Sequence, residues 1–196
     1  MCGVKRRHLL ATLAAGLCLA CTQQRPTGQP SAQDAYRRPQ QLVAALGLHR
    51  NDHVAEVGAG GGYLTRYLAA AVGPGGQVVA TDIDDEALAA LATRVRDEGL
   101  RQVLPRRVTP EDPGLEAGAY DLILLAQVDH LLADRRDYLR RLRPALRPGS
   151  RSRIAVSNRD SHRAELLSAA VAAELHIEPA QPSPELPGQY LLFLRP

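Results

Sequence analysis

The chain has 196 residues, of which 45% are hydrophobic and 23% charged, and its formal net charge is +3. This length supports one domain with a sizeable core and is short for two. With one Phe and no Trp there is little aromatic surface for bases to stack on, so nucleic-acid binding is not expected. The three cysteines lie at positions 2, 18 and 21, which excludes a cysteine nucleophile or Cys-ligated zinc from the rest of the chain. The histidines lack metal-ligand spacing, and no metal site is predicted.

Residues 1–20 have the three parts of an export signal. Basic residues open the segment, and a 12-residue apolar stretch from Leu9 to Ala20 follows, which is too short to span a bilayer. "LAC" at 19–21 resembles the end of a bacterial lipobox, with Cys21 as the lipidation site, although Cys18 stands where that pattern prefers Leu. A real signal predicts a membrane-anchored or periplasmic protein. An ordinary cleaved signal and a start codon assigned too early remain as alternatives, and the last of these implies a cytoplasmic protein.

The segment that follows, residues 21–35, is polar and rich in Gln and Pro. It shows no hydrophobic period and is typical of a flexible tether. The folded domain is therefore predicted to span residues 36–196.

From residue 36 onward, helical patterns alternate with short apolar runs. The predicted helices are "PQQLVAALGL", "YLTRYLAAAV", "DDEALAALATRVRDEG", "ADRRDYLRRLRPAL" and "RAELLSAAVAAEL", and the predicted strands are "HVAEV", "QVVATD", "RQVLPRRV", "AYDLILLA", "RSRIAVS" and Tyr190 to Leu194. Asp84 is the expected N-cap of the third helix and Gly99 its end. Pro105 interrupts the third strand, which weakens its assignment. This alternation predicts one α/β domain with a parallel sheet and helices on both faces.

The stretch "VAEVGAGGGYLT", residues 54–65, leads from the first strand into the second helix and predicts a ligand site. Glycines there let the backbone approach a ligand closely. A dinucleotide fingerprint needs G-x-G-x-x-G, yet its last position is Tyr63. Glu56, two residues before the first glycine, would repel a pyrophosphate and suits a ligand with a cationic end. A nicotinamide oxidoreductase is therefore disfavoured.

These residues resemble the class I S-adenosylmethionine-dependent methyltransferases. The family's first motif is an acid followed by G-x-G-x-G, and the matching residues are Glu56, Gly58, Gly60 and Gly62. Asp82 in "VVATDID" matches the acid that holds the ribose hydroxyls, with Ile83 beside it. Glu111 and Asp112 in "VTPEDPG" match the polar pair near the adenine. "YDLILLAQVDHLL", with Ala126 at the cofactor, and "LRPGSRSRIAV" resemble the fourth- and fifth-strand motifs.

The resemblance covers roughly residues 37–196, including looser similarity to small, stand-alone bacterial methyltransferases. It implies a Rossmann-like, doubly wound, mostly parallel seven-stranded sheet. It also implies S-adenosyl-L-methionine as cofactor and methyl transfer to an unidentified acceptor, expected to be a small molecule. A non-enzymatic, membrane-tethered binding protein on the same fold is the alternative.

Asp129 and His130 follow the fourth strand and are the candidates for a catalytic base, which is needed only if the acceptor must lose a proton. His130 could instead be a structural residue of the loop. The site sequence is "AQVD" rather than the Asn-Pro-Pro-aromatic signature of enzymes that methylate amino groups of nucleic acids. Arg153 departs from the family, which usually has an aliphatic residue there, although it could lie at an edge of the strand with its head group in solvent. The Arg-rich stretch 135–153 is expected to be a solvated helix face partnered by Asp134 and Asp137, in preference to a lipid-binding surface.

Overall fold

The computed structural model describes residues 36–149, 151–179 and 186–196. The predicted signal, lipidation site and tether lie outside these residues and stay predictions. Seven strands are present: β1 His53–Val57, β2 Gln77–Asp82, β3 Val103–Arg107, β4 Leu122–Ala126, β5 Arg153–Arg159, β6 His176–Pro179 and β7 Gln189–Arg195. The helices are α1 Pro39–Ala45, α2 Thr65–Val72, α3 Asp85–Asp97, α4 Arg135–Leu142 and α5 Arg163–Ala172. Short 3-10 turns cover Asp129–Leu131, Arg143–Ala145 and Asp160–His162.

The strands form one sheet in the order β3-β2-β1-β4-β5-β7-β6. Neighbouring strands from β3 to β5 are parallel, and β7 runs antiparallel to both β5 and β6. The strand order reverses between β1 and β4, which opens a crevice at the carboxyl ends of these two strands. The predicted Rossmann-like, mostly parallel seven-stranded sheet is confirmed.

Apolar side chains cover both faces of this sheet. One core lies on the face that α1, α2 and α3 cover, and its buried side chains include Leu46, Leu68 and Leu91. A second core lies on the opposite face, where α4 and α5 pack. β4 contributes to both, since Leu122 and Leu124 belong to the first core and Ile123 and Leu125 to the second. Its continuous apolar run is therefore explained by burial on both faces.

The edge strand β3 differs from the others in composition. It pairs only with β2, where Pro105 lies opposite Ala80. A proline is tolerated at an edge because no further strand needs its missing N–H. No helix forms in residues 108–121, between β3 and β4. Instead, Arg106 anchors this segment by donating to the Gly114 carbonyl and to the Glu116 carboxylate, each at 2.6 Å.

The arginines at 135–153 are largely neutralised by acids. Arg136 lies within ion-pair distance of both Asp134 and Asp137, as predicted. Arg153 is half-buried, and its head group contacts neighbouring groups. It donates to the Leu46 carbonyl at 2.8 Å and lies 4.0 Å from the centre of the Phe193 ring. In the described part of the chain, no helix is long and apolar enough to cross a membrane.

Candidate functional site

The turn between β1 and α2 requires glycine at positions that take left-handed backbone angles. Gly58 has φ +70°, and a Cβ there would lie 2.5 Å from Val128 Cγ2. Gly62 has φ +80°, and a Cβ there would lie 2.5 Å from Leu91 Cδ1. Gly60 also has a positive φ of +55°, but a Cβ would meet no atom within 4 Å. Gly58 therefore lets the turn pack closely against the loop after β4, and Gly62 lets it pack closely against α3. Gly60 faces open space.

Asp82 ends β2 and ties the glycine turn to the neighbouring loop. Its Oδ2 accepts from the Gly60 backbone N–H at 2.7 Å, and its Oδ1 accepts from the Asp84 N–H at 3.0 Å. Asp84 in turn caps α3 by accepting from two backbone N–H groups, as predicted. The side chain of Ile83, the next residue, is half exposed. The structure thus brings the predicted Asp82, Ile83 and glycine motif together.

A cavity of about 290 Å³ lies at this crevice, and we call it the apolar cavity. Its wall comes from the carboxyl ends of successive strands: Gly58 after β1, Asp82 and Ile83 at β2, Thr109 after β3, Gln127 after β4, and Leu131 in the following turn. Leu131 is 72% exposed, an unusual position for so large an apolar side chain. This combination of apolar walls and a few polar groups is typical of a small-molecule site.

Glu56 is buried, with 3% of its surface exposed, and has one hydrogen bond from a side chain, donated by Thr65 Oγ1 to Oε2 at 2.6 Å. Burial, reinforced by the nearby Asp82 charge, raises the pKa of Glu56 to about 7, although Thr65 and Arg37 act in the opposite direction. Within the described residues no cationic side chain lies within ion-pair distance of it. A buried acid with a raised pKa and no cation within ion-pair distance among the described residues is a signal of a binding site.

Because the pKa of Glu56 is raised from 4.5 to about 7, ionising it penalises the folded state as pH rises through that interval. The Glu56→Gln variant does not titrate and keeps an acceptor for Thr65. The quantity of interest is the free energy of unfolding of this variant minus that of the parent. We expect this difference to be larger at pH 8 than at pH 5 by up to about 3 kcal/mol. Chemical denaturation at both pH values measures this.

Glu116→Gln is the matched control for that measurement. The hydrogen bonds from Arg106 and Tyr120 lower the pKa of Glu116 to about 2, so its ionised form stabilises the fold above pH 4.5. The difference in stability between this variant and the parent is therefore expected to stay nearly constant between pH 5 and pH 8, because the Glu116 titration lies below that interval. A Glu56→Gln difference that is the same at pH 5 and pH 8 would contradict the first expectation.

Of the predicted cofactor residues, Gly58, Asp82 and Ile83 line the apolar cavity, and the described lining does not include Glu56, Gly60, Gly62, Glu111, Asp112 or Ala126. Glu111 and Asp112 are exposed, and the Asp112 carboxylate accepts from the Gly114 N–H at 2.9 Å within its own loop. Ala126 ends β4 and packs partly against the first core. Val108, Thr109 and Pro110, immediately before the acidic pair, line the cavity instead. The adenine role of Glu111 and Asp112 stays a prediction.

Asp129 is fully buried and held by its neighbours. Its Oδ1 accepts from Asn158 Nδ2 at 2.6 Å, and its Oδ2 lies 3.5 Å from Arg135 Nε. Arg135 Nε also donates to the Asp129 carbonyl at 2.9 Å. These contacts suit a carboxylate that fixes other side chains. The catalytic role of Asp129 remains a prediction.

His130 lines a second cavity, of about 280 Å³, which we call the polar cavity. The remaining lining residues are Arg37, Gln127, Asn158, Arg159 and His162. The rings of His130 and His162 are stacked with centroids 4.6 Å apart. Burial and the adjacent His162 lower the pKa of His130. Since Gln127 lines both cavities, they lie side by side at the carboxyl end of β4.

Sequence analysis did not single out Gln127, Asn158 or His162. Gln127 has φ +60°, which is uncommon for a residue other than glycine and marks strain next to a site. No motif connects these residues in the sequence, because Gln127 follows β4 whereas Asn158 and His162 lie at the end of β5 and in the turn after it. In the described part of the chain, no group of three or more His, Cys, Asp or Glu side chains could hold a metal ion.

The fold and this crevice define a Rossmann-like protein with a small-molecule site at its topological switch point. Residues 55–152 match the model of the methyltransferase domain family, and the chain belongs to that family. A solved S-adenosylmethionine-dependent methyltransferase from Aquifex aeolicus shares the fold, with a TM-score of 0.75 and 18% identity. The match covers 84% of this chain and 93% of that one.

Two curated relatives are similar to this chain in sequence. The nocamycin O-methyltransferase of Saccharothrix syringae is 33% identical over 96 residues, which are 49% of this chain and 34% of the relative. The lovastatin diketide synthase mokB of Monascus pilosus is 30% identical over 126 residues, which are 60% of this chain and 5% of the relative. The matched region thus spans only a minor part of either relative.

Proposed function

We propose that this chain transfers a methyl group from S-adenosyl-L-methionine to a small-molecule acceptor. The observation that carries the proposal is the pair of carboxylates at the glycine turn. Asp82 and Glu56 lie close enough for the Asp82 charge to raise the pKa of Glu56, and among the described residues Arg37 opposes this rise only from beyond ion-pair distance. A phosphate would be repelled there, whereas a ligand carrying positive charge would relieve the repulsion.

The residues present fit this cofactor. Glu56 suits its cationic amino-acid end, Asp82 lies at the strand end that suits ribose hydroxyls, and the free space at Gly60 allows close approach. The apolar cavity beside Ile83 and Leu131 suits a flat heterocycle. When bound, this cofactor supplies a methyl group already activated by a sulfonium. The protein's contribution is to bind, to orient and to exclude water.

A small-molecule acceptor is supported by the names of the two curated relatives and by the enclosed polar cavity beside the cofactor site. The membrane-tethered, non-enzymatic alternative gains no support from the described residues. A membrane anchor and an extracytoplasmic location depend on residues 1–35 and remain predictions from sequence.

Isothermal titration calorimetry on the full-length chain tests the proposal. We expect saturable binding of both S-adenosylmethionine and S-adenosylhomocysteine, and no heat from NAD, whose pyrophosphate meets Glu56 and Asp82. Denatured chain is the baseline. Absence of binding to both adenosyl ligands would overturn the proposal. Tight binding of NAD would instead identify the crevice as a dinucleotide-binding site.

A further inference from the structure

We propose that the polar cavity is the acceptor site and that it holds the acceptor by an oxyanion group, a carboxylate or a phosphate. The inference rests on the proposed function, because it takes the methyl donor to lie in the neighbouring apolar cavity. It concerns residues that the cofactor motifs leave unexplained.

Two guanidinium groups, those of Arg37 and Arg159, line the polar cavity, and the Arg37 charge opposes the rise in the pKa of the nearby Glu56. Among the described residues, neither Arg37 nor Arg159 lies within ion-pair distance of a carboxylate. Arg37 lies 5.4 Å from the centre of the Tyr63 ring, and Arg159 lies 5.7 Å from the centre of the Tyr36 ring. By contrast, Arg106, Arg147 and Arg151 all pair with acids. None of the six described residues that line the cavity is acidic, so this part of its wall is positively charged.

Asn158 determines what His130 presents to this cavity. Asn158 Oδ1 accepts from the Arg159 N–H at 2.8 Å, which sets the orientation of the amide. Its Nδ2 then donates to Asp129 Oδ1 at 2.6 Å and to His130 Nδ1 at 3.0 Å. Since Nδ1 accepts a hydrogen bond, the proton of the neutral imidazole lies on Nε2. His130 therefore offers an N–H donor and has no free lone pair with which to act as a base.

The buried network behind Asn158 holds this arrangement in place. Asp129, with no exposed surface and Arg135 beside it, acts as a positioning residue for the Asn158 amide. The cavity thus combines two guanidinium forks with an imidazole N–H. Arginine forks match carboxylate and phosphate oxygens in geometry and charge. Gln127, shared by both cavities, places the bound oxyanion beside the methyl donor's cavity.

The test uses the smallest probes that carry the group, so that the unknown remainder of the acceptor does not matter. Acetate, inorganic phosphate and neutral acetamide are titrated into the full-length chain with ¹³C-labelled histidine, and ring signals of His130 and His162 are followed by NMR. We expect a saturable shift with acetate or phosphate and none with acetamide. The oxyanion that binds more tightly, acetate or phosphate, shows whether the acceptor's group is a carboxylate or a phosphate.

Arg159→Gln is expected to weaken oxyanion binding about tenfold, which corresponds to about 1.4 kcal/mol. Arg101→Gln is the matched control: it removes the same charge from an exposed residue outside the cavity and should leave the affinity unchanged. Linear, non-saturating shifts with both oxyanions, or equal affinity in Arg159→Gln and the parent chain, would overturn the inference. The titrations are carried out with and without S-adenosylhomocysteine. If the parent chain does not bind that ligand, the proposed function is contradicted. The acetate and phosphate titrations still decide independently whether the polar cavity is an oxyanion site.

Discussion

Asp82→Ala is expected to raise the dissociation constant of S-adenosylhomocysteine by at least about 100-fold. The carboxylate lies at the cofactor site and also accepts the N–H groups of Gly60 and Asp84, at 2.7 and 3.0 Å. Removing it deletes the acceptor expected to hold the ribose and releases the glycine turn. A hydrogen bond to a charged group contributes about 1.5 to 3 kcal/mol. Losing two such bonds to the ligand corresponds to a loss of affinity of at least about 100-fold. Calorimetry on the full-length variant measures it.

Asp85→Ala provides the matched control for that experiment. Asp85 is three residues further along, is exposed, and forms only a surface ion pair with Arg107 at 2.9 Å. Such a pair contributes little to stability, so this variant should fold and bind like the parent chain. If Asp82→Ala bound within about threefold of the parent while Asp85→Ala behaved as expected, Asp82 would not be the ribose ligand.

Gly60→Ala is expected to weaken S-adenosylhomocysteine binding at least about tenfold, and Gly60→Val more strongly. A Cβ at this position meets no atom of the chain within 4 Å, so the methyl group enters the space left for the ligand. The φ of +55° adds a backbone cost of about 1 to 2 kcal/mol. Binding and thermal stability must therefore be measured on the same preparation.

Gly99→Ala separates these two effects. Gly99 follows α3 with a φ of +65°, and a Cβ there also meets nothing within 4 Å. The two substitutions should destabilise the fold by similar amounts, yet only the one at Gly60 should reduce affinity. Equal affinities in both variants would show that the ligand does not approach Gly60.

The sequence predicted the elements that combine strong periodicity with clear ends. Asp84 and Gly99 bound α3 because capping is local chemistry. β6 was not assigned, although the family resemblance implied seven strands. His176–Pro179 has only four residues, and pairing with β7 is what makes it a strand. Tertiary pairing of this kind leaves no pattern in a short segment.

The candidate site was predicted only where its residues are contiguous. Glu56, the glycines, Asp82 and Ile83 lie in two short motifs, and the structure brings them together. The polar cavity was missed because its described lining comes from three distant segments, at 37, 127–130 and 158–162. The contact of Arg153 with the ring of Phe193 could not be predicted, because the two residues lie 40 positions apart in the sequence.

The buried carboxyl of Glu56 also makes occupancy of this site respond to acidity. With its pKa raised to about 7, the free protein holds a proton there below neutral pH. A cationic ligand favours the ionised form, so loading the site releases that proton. Affinity for the methyl donor should then fall by up to about tenfold for each pH unit below 7. The domain would release its donor on acidification and take it up again as the surroundings become alkaline.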